Sequence, residues 1–185
     1  MLDLEETFAN ILREKTVSDV KQTSLVTQWL GMNYIPQSLS IRLGNYLEEL
    51  FNTMLGAKNI LHELERRGNN YYVRWQDEWH QVDILARVGD KVYTREMKLN
   101  ISLGRGPCRD IRYREQAVGM ALAQKYGCKI DSDIFCPFVE VSHNHTQLNH
   151  VEGLREFIAK FDMPFTVDDF LKLGHSPQIH RLLDI

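Results

Sequence analysis

The sequence predicts an α/β fold, in which helices flank a mixed central sheet. Two long segments repeat apolar residues every three or four positions, as amphipathic helices do, at residues 38–55 and 109–126. Between them lie three segments with the composition and alternation of β-strands, at residues 70–76, 79–88 and 91–99. A fourth apolar run follows the second long helix. This order of helix, strands, helix and strand is typical of a mixed α/β sandwich.

The N-terminal part of the chain is predicted to be mainly helical. Residues 1–30 carry a partial apolar stripe. The first long helix is predicted to begin at Ser38, a favoured N-cap residue, and to stop at Gly56, which suits the backbone found after helices. Residues 59–67 are predicted to continue as a short charged helix.

The C-terminal part is predicted to alternate between strand and helix. The run IFCPFVEV at residues 134–141 is predicted to be a buried strand, and its Pro137 indicates an edge or a bulge. Thr166 followed by Asp169 matches a capping box, which marks the start of a helix. Two helices are therefore expected to close the chain, at residues 147–161 and 167–173.

Length and composition limit the class of protein. The 185 residues are 43% apolar and 25% charged, which suits a single globular domain over residues 1–185. No apolar run reaches the length of a membrane span, and the N-terminus is acidic where a signal peptide is basic. The cysteines Cys108, Cys128 and Cys136 are odd in number and lack CxxC spacing. We therefore expect a soluble cytoplasmic protein with no membrane partner.

The formal net charge of −3 is unusual for a protein that binds nucleic acid unaided. Contacts between basic side chains and phosphates supply most non-specific affinity for nucleic acid. Any nucleic-acid role is therefore expected to be confined to one face or to depend on a partner.

The segment HQVDILARVGDKVYTREMKLN places two acids opposite one another. If Gly89 and Asp90 form a two-residue hairpin loop, Val88 faces Lys91 across the ladder. Counting outward from that pair, Asp83 faces Glu96, with β-carbons about 5 Å apart. Facing like charges repel, so we expect a compensating partner, and a divalent cation bound by the two carboxylates is the natural candidate.

Lys98 extends this pattern on the same face. Side chains alternate between the faces of a strand, so Lys98 falls beside Glu96 while the side chain of Met97 points to the other face. An acid followed two residues later by lysine is common, and without a placement these residues are more often ordinary solvated sheet positions. The hairpin register favours a functional site that includes Asp83, Glu96 and Lys98.

A third acid is predicted on the first long helix. Its apolar stripe runs through five residues, Leu43, Leu47, Leu50, Phe51 and Met54. Glu48 projects at the shoulder of that stripe, whereas Glu49 projects nearly opposite and should be solvated. Glu48 is therefore a candidate for the site at the edge of the sheet, with a half-exposed helix glutamate as the equally weighted alternative.

A helix with Gly44 and Glu48, followed by a hairpin with VDILAR and YTREMKLN, resembles the core of the PD-(D/E)xK nucleases, the fold shared by many restriction endonucleases. The resemblance covers about residues 38–142. Val82 stands where this family often has a proline. The small size of the chain and the spacing of the acids are most similar to the small cleavage subunit of heterodimeric type IIS restriction enzymes.

The resemblance implies a magnesium-dependent DNA endonuclease with a restriction-endonuclease-like core. It implies Mg²⁺ ligands at Asp83, Glu96 and the backbone carbonyl of Met97. It also implies that Lys98 orients the attacking water and that Glu48 holds a second metal or a water. The substrate implied is double-stranded DNA, presented by a larger subunit that reads the sequence and nicks the other strand.

Two alternatives to a cleavage subunit remain open at this stage. The chain is also consistent with a self-sufficient homodimeric type II restriction enzyme. A nuclease-like fold kept as a binding or assembly module, without catalysis, is the alternative from another class. The facing acids beside a lysine favour the enzyme over the module.

Three further groups of residues are candidates for accessory roles. The first group lies around the start of the second long helix. Its arginines suit either contacts with backbone phosphates or a solvated face, and they are Arg105, Arg109, Arg112 and Arg114. Gln116 of the same helix is a candidate to approach Lys98. The second, with His143, His145 and His150, is better explained as a polar loop than as a zinc site. The third consists of Tyr71, Tyr72, Trp75 and Trp79, for which core packing or a subunit interface is favoured over base stacking.

Overall fold

The computed structural model describes residues 5, 21–22, 29–31, 35–98, 100–101, 105–139 and 152–177. The chain forms two compact units. The first contains Met1–Glu49, Leu99–Ser102 and Cys136–Ile185, and the second contains Leu50–Lys98 and Leu103–Phe135. The single domain expected over residues 1–185 stays a prediction.

The described part of the chain contains ten strands and four α-helices. The elements of the first half are β1 (Lys21–Gln22), β2 (Ile35–Pro36), α1 (Gln37–Leu55), β3 (Glu65–Arg67), β4 (Asn70–Trp75), β5 (Glu78–Val82), β6 (Ile84–Val88) and β7 (Lys91–Met97). Those of the second half are β8 (Asn100–Ile101), α2 (Arg105–Tyr126), β9 (Ile130–Phe135), β10 (Phe138–Val139), α3 (Glu152–Phe161) and α4 (Val167–Leu173). The α/β class is confirmed.

The second unit contains two three-stranded sheets. Strands β3, β4 and β5 form an antiparallel sheet, and strands β6, β7 and β9 form a mixed one, in which β7 pairs with β9 in parallel. The strand predicted over residues 79–88 is therefore interrupted. The chain bends at Asp83, between β5 and β6, and passes from the first sheet to the second. The restriction-endonuclease-like topology stays a prediction.

The hairpin of β6 and β7 has the predicted register. Val88 pairs with Lys91 and Ile84 pairs with Arg95, so the loop consists of Gly89 and Asp90. The φ angle of Gly89 is +62°, which is the left-handed region required at the first central position of a type II′ turn. The short loop fixes which residues of the two strands face each other.

The core of the second unit lies where helix α2 covers both sheets. Val118, Ala121 and Leu122 of α2 pack in one cluster with Val73 and Val82 of the antiparallel sheet. Leu85 and Val92 bring the mixed sheet into the same cluster. Ten residues of this unit form that buried cluster, so the helix packs against both sheets through one continuous apolar layer.

The predicted helix over residues 59–67 is wrong. This segment forms one 3-10 turn, at Leu61–Glu63, followed by strand β3, and another 3-10 turn, at Gly56–Lys58, precedes it. Asn59 favours the turn, because its side chain accepts the backbone N–H of Leu61 and donates to the carbonyl of Asn52. The pairing of β3 with β4 then overrides the helical propensity of the glutamate and arginines in β3.

Other element boundaries differ from the prediction by a few residues. Helix α1 begins one residue before Ser38, and helix α2 begins at Arg105, so Pro107 lies in its first turn, where no backbone donor is needed. The strand predicted over residues 134–141 is divided into β9 and β10 around Pro137, as the proline indicated. The helix predicted over residues 1–30 is wrong at Lys21–Gln22, because these two residues form strand β1. The rest of that predicted helix lies mainly outside the described residues.

The first unit is held by aromatic packing around helices α3 and α4. Trp29 stacks on Phe170 with ring centroids 5.2 Å apart, and its indole N–H donates to the carbonyl of Leu171 at 3.1 Å. Helix α4 starts with the predicted capping box of Thr166 and Asp169, and its bounds match the prediction. Residues 147–151, predicted to open the preceding helix, lie outside the described residues.

Candidate active site

Asp83 is a buried acid that three neighbours fix in place. Its Oδ2 accepts the backbone N–H of Met97 at 2.9 Å, and its Oδ1 accepts the side-chain amide of Gln81 at 3.1 Å. The amide of Asn52 donates to the backbone carbonyl of Asp83 at 2.7 Å. The residue is only 7% exposed. The bend between β5 and β6 therefore turns this carboxylate toward strand β7.

Glu96 and Lys98 lie on one face of the chain, as the strand period predicts. Lys98 Nζ lies 2.7 Å from Glu96 Oε1 and donates to the backbone carbonyl of Met97 at 2.9 Å. A second cation approaches the same carboxylate oxygen, since Arg114 Nη2 lies 3.5 Å from it. The side chain of Glu96 is only 10% exposed, so water solvates its charge poorly. The positive charges of Lys98 and Arg114 compensate for that loss of solvation.

The two acids interact as the register implies. Burial, and after it the charge of Glu96, raise the pKa of Asp83 from 3.8 to about 6. The N–H of Met97, the charge of Lys98 and the amide of Gln81 oppose this rise. A positive charge close to Asp83 would therefore stabilise its ionised carboxylate.

A small cleft beside the acids adds residues that the sequence analysis missed. Glu115 and Val118 of α2 and Ser132 of β9 line it together with Asp83 and Glu96. Gln116, which was predicted to approach Lys98, is exposed. The half-buried Glu115 lines the cleft instead. One residue along a helix turns the side chain by about 100°, so an error of one position moves it off the site.

The donors at this place suit magnesium. The carboxylates of Asp83 and Glu96 and the carbonyl of Met97 are all oxygens, and the last two already hold the ammonium of Lys98. Magnesium is usually bound through one or two carboxylates, with water and phosphate completing the set. Within the described ranges, three or more His, Cys, Asp or Glu side chains nowhere gather as a metal site. The donor set therefore fits magnesium and does not resemble a closed zinc site.

Glu48 has the predicted exposure on α1. It is half-buried at the edge of the apolar stripe, whereas Glu49 is exposed. Leu43, Leu47 and Leu50 of that stripe are buried. Glu48 belongs to the first compact unit and the other candidate residues belong to the second. Its membership of the site stays a prediction.

The accessory candidates are placed differently by the structure. Arg109, Arg112 and Arg114 are exposed on α2, and the side chain of Arg105 lies outside the described residues. The histidine group, His143, His145 and His150, also lies outside them. The aromatic group is divided, because Tyr71 and Trp75 pack against the core of the second unit, whereas Tyr72 and Trp79 point to the other side of the sheet.

Comparisons with protein-family models, curated proteins and solved structures find no match for this chain. Among the residues that the structure describes, no helix is long and apolar enough to cross a membrane.

Proposed function

We propose that this chain is a magnesium-dependent DNA endonuclease that hydrolyses a phosphodiester bond of one strand. The observation that supports the proposal best is the convergence of two carboxylates and one ammonium. Asp83 and Glu96 come directly after the last pair of the hairpin, Ile84 and Arg95, and the charge of Glu96 acts on Asp83. Lys98 Nζ lies 2.7 Å from Glu96. Hydrolysis of a phosphodiester needs an activated water and positive charge near the phosphate, and these groups provide for both needs.

The proposed metal ligands are Asp83, Glu96 and the carbonyl of Met97, with Glu48 as an outer ligand. Magnesium would supply positive charge to the phosphate oxygens and lower the pKa of a water molecule. The protein holds Asp83 in place through the N–H of Met97 and the amide of Gln81. The carboxylates are thus positioned before any ligand arrives, which reduces the reorganisation that binding requires.

Lys98 is the proposed residue that orients the attacking water. Its ammonium carries three donors on a flexible stem, so it can contact Glu96, a water and a phosphate oxygen in turn. Its side chain is 26% exposed, which leaves it open to the substrate. Arg114, with a side chain that is 55% exposed, is placed to contact the phosphate backbone from α2.

A partner is proposed for sequence recognition. The net charge of −3 gives the chain little counterion-release energy for a specific duplex site. We propose that a larger subunit reads double-stranded DNA and nicks one strand while this chain cuts the other, in the cytoplasm, as in a type IIS enzyme. A self-sufficient homodimer is the alternative, and specific double-strand cleavage by the lone chain would favour it.

The test is a nicking assay on supercoiled plasmid with magnesium. The chain alone, at high concentration, should produce slow, non-specific nicking that EDTA abolishes. Asp83→Ala should remove that activity and keep the fold, because it relieves repulsion with Glu96. The matched control is Asp90→Ala, which removes an exposed acid from the loop of the same hairpin. Equal nicking by wild type and Asp83→Ala, with a folded variant, would contradict the proposal and favour a non-catalytic module.

A further inference from the structure

The antiparallel sheet of β3, β4 and β5 has an outer face that the proposed chemistry does not use. Tyr71, Val73 and Trp75 alternate toward the core, so the residues between them point outward. Cross-strand pairs share a face, and Arg74 pairs with Trp79. We call the four outward residues Arg67, Tyr72, Arg74 and Trp79 the arginine–aromatic face.

Three of these residues form a stack. The guanidinium of Arg67 lies 3.6 Å from the centroid of the Trp79 ring and 5.8 Å from that of Tyr72. Glu65 fixes Arg67 from the same edge strand at 2.9 Å. Trp79 remains 36% exposed with the guanidinium of Arg67 against its ring. The stack is thus preformed and open to solvent.

The arginine–aromatic face leads directly to the candidate active site. Trp79 and Gln81 lie on the same outer face of β5, and Asp83 lies at the bend that follows this strand. The last two are joined, because the amide of Gln81 donates to Asp83 Oδ1. At about 3.3 Å per residue, Trp79 lies about 7 Å along β5 from Gln81, the residue that contacts Asp83.

We propose that the arginine–aromatic face binds unpaired nucleotides of a DNA strand next to the bond that is cut. This inference rests on the proposed function and adds the form of its substrate. Flat aromatic and guanidinium groups bind bases by stacking, and base faces are open only in unpaired strands. Arg74 is paired with Asp77, but both side chains are mostly exposed, so a phosphate can replace that carboxylate at low cost.

The edge of this sheet is poorly suited to pairing with a strand of a protein partner. Its edge strand β3 consists of Glu65, Arg66 and Arg67, all of them exposed. Charged edge strands oppose pairing with another sheet. A nucleic-acid strand, in contrast, uses both the rings and the arginines.

The test is binding of a fluorescein-labelled single-stranded oligodeoxynucleotide to the full chain in EDTA, followed by anisotropy. Trp79→Ala and Arg67→Ala should each weaken binding about tenfold or more, in keeping with the usual contribution of a stacked base. Trp79→Phe should keep most of the affinity because it retains a ring. Arg66→Ala is the matched control, since Arg66 is exposed on the same strand and its guanidinium donates to the carbonyl of Gly68. Circular dichroism checks that each variant is folded.

Each outcome bears on this inference or on the proposed function separately. Equal binding by wild type, Trp79→Ala and Arg67→Ala would overturn the inference, even if the chain cleaves DNA. Variants that bind the oligonucleotide normally but change the oligomeric state in size-exclusion chromatography would also overturn it, by showing a protein interface. Binding that depends on Trp79 and persists in Asp83→Ala would support it, whether or not the wild type cleaves DNA.

Discussion

The carboxylate of Asp83 is bound by the strand that carries the opposing acid, because its Oδ2 accepts the backbone N–H of Met97 at 2.9 Å. This bond holds Asp83 beside Glu96 although the two charges repel each other. The repulsion is tolerated since Lys98 and Arg114 both approach Glu96. The burial of Asp83 beside Glu96 therefore costs stability, as functional sites often do, and the proposed cation would offset that cost.

The first prediction concerns stability against pH. Burial and Glu96 raise the pKa of Asp83 in the folded chain, so its contribution to stability is fully present below pH 3.8 and is lost as the pH rises through about 6. The shift in the pKa of Asp83 corresponds to a loss of up to about 3 kcal/mol in the free energy of unfolding at high pH. Asp83→Asn should therefore raise the free energy of unfolding at pH 8 and change it little at pH 3.5. Urea unfolding at both values checks this, with Asp90→Asn as the control; a variant that is less stable at pH 8 would contradict it.

The second prediction concerns magnesium. Because protons and metal compete for Asp83, magnesium should raise the melting temperature more at pH 8 than at pH 5, with the change centred near the Asp83 pKa of about 6. EDTA should reverse the increase, and Asp83→Ala should remove it. Differential scanning calorimetry at constant ionic strength measures the effect, with potassium chloride as the control for screening. A pH-independent increase would indicate that the cation binds elsewhere.

The register of the site was accessible from sequence because it depends on local chemistry. Gly89 and Asp90 fix the loop, and the pairs from Val88 and Lys91 to Ile84 and Arg95 then follow by counting, with Asp83 and Glu96 as the next positions. The lysine on the same face follows from the strand period, and its contact with Glu96 confirms it. Short-range rules were therefore enough to place three of the proposed site residues.

The remaining features depend on contacts between distant parts of the chain. The bend at Asp83 involves Asn52, which lies 31 residues away, so no local pattern indicates it. Strand β3 forms against β4 although its residues favour helix. Helix α2 places Glu115 in the cleft through packing against both sheets, which sequence periodicity alone does not fix.

The third prediction compares two helical glycines. A Cβ at Gly153 would overlap the carbonyl oxygen of Cys136, so Gly153→Ala must displace the backbone. The variant should destabilise the chain by several kcal/mol, on the order of other overpacked sites. Nothing lies within 4 Å of a Cβ at Gly44, so Gly44→Ala should stabilise the helix by about 0.5–1 kcal/mol. Chemical unfolding of both variants checks the pair. Equal effects of the two substitutions would contradict the packing around Gly153.

The last prediction separates the role of Lys98 in catalysis from a role in structure. Lys98→Ala should reduce cleavage by orders of magnitude, because it removes the donor proposed to orient the water. Magnesium affinity should persist or increase, since the variant frees Glu96 Oε1 and the carbonyl of Met97 from the ammonium. Isothermal titration calorimetry and the plasmid nicking assay on the same preparation measure both properties. Lys91→Ala, an exposed lysine of the same strand, is the control and should behave as wild type. Joint loss of magnesium affinity and cleavage in Lys98→Ala would show that the lysine supports the structure of the site instead.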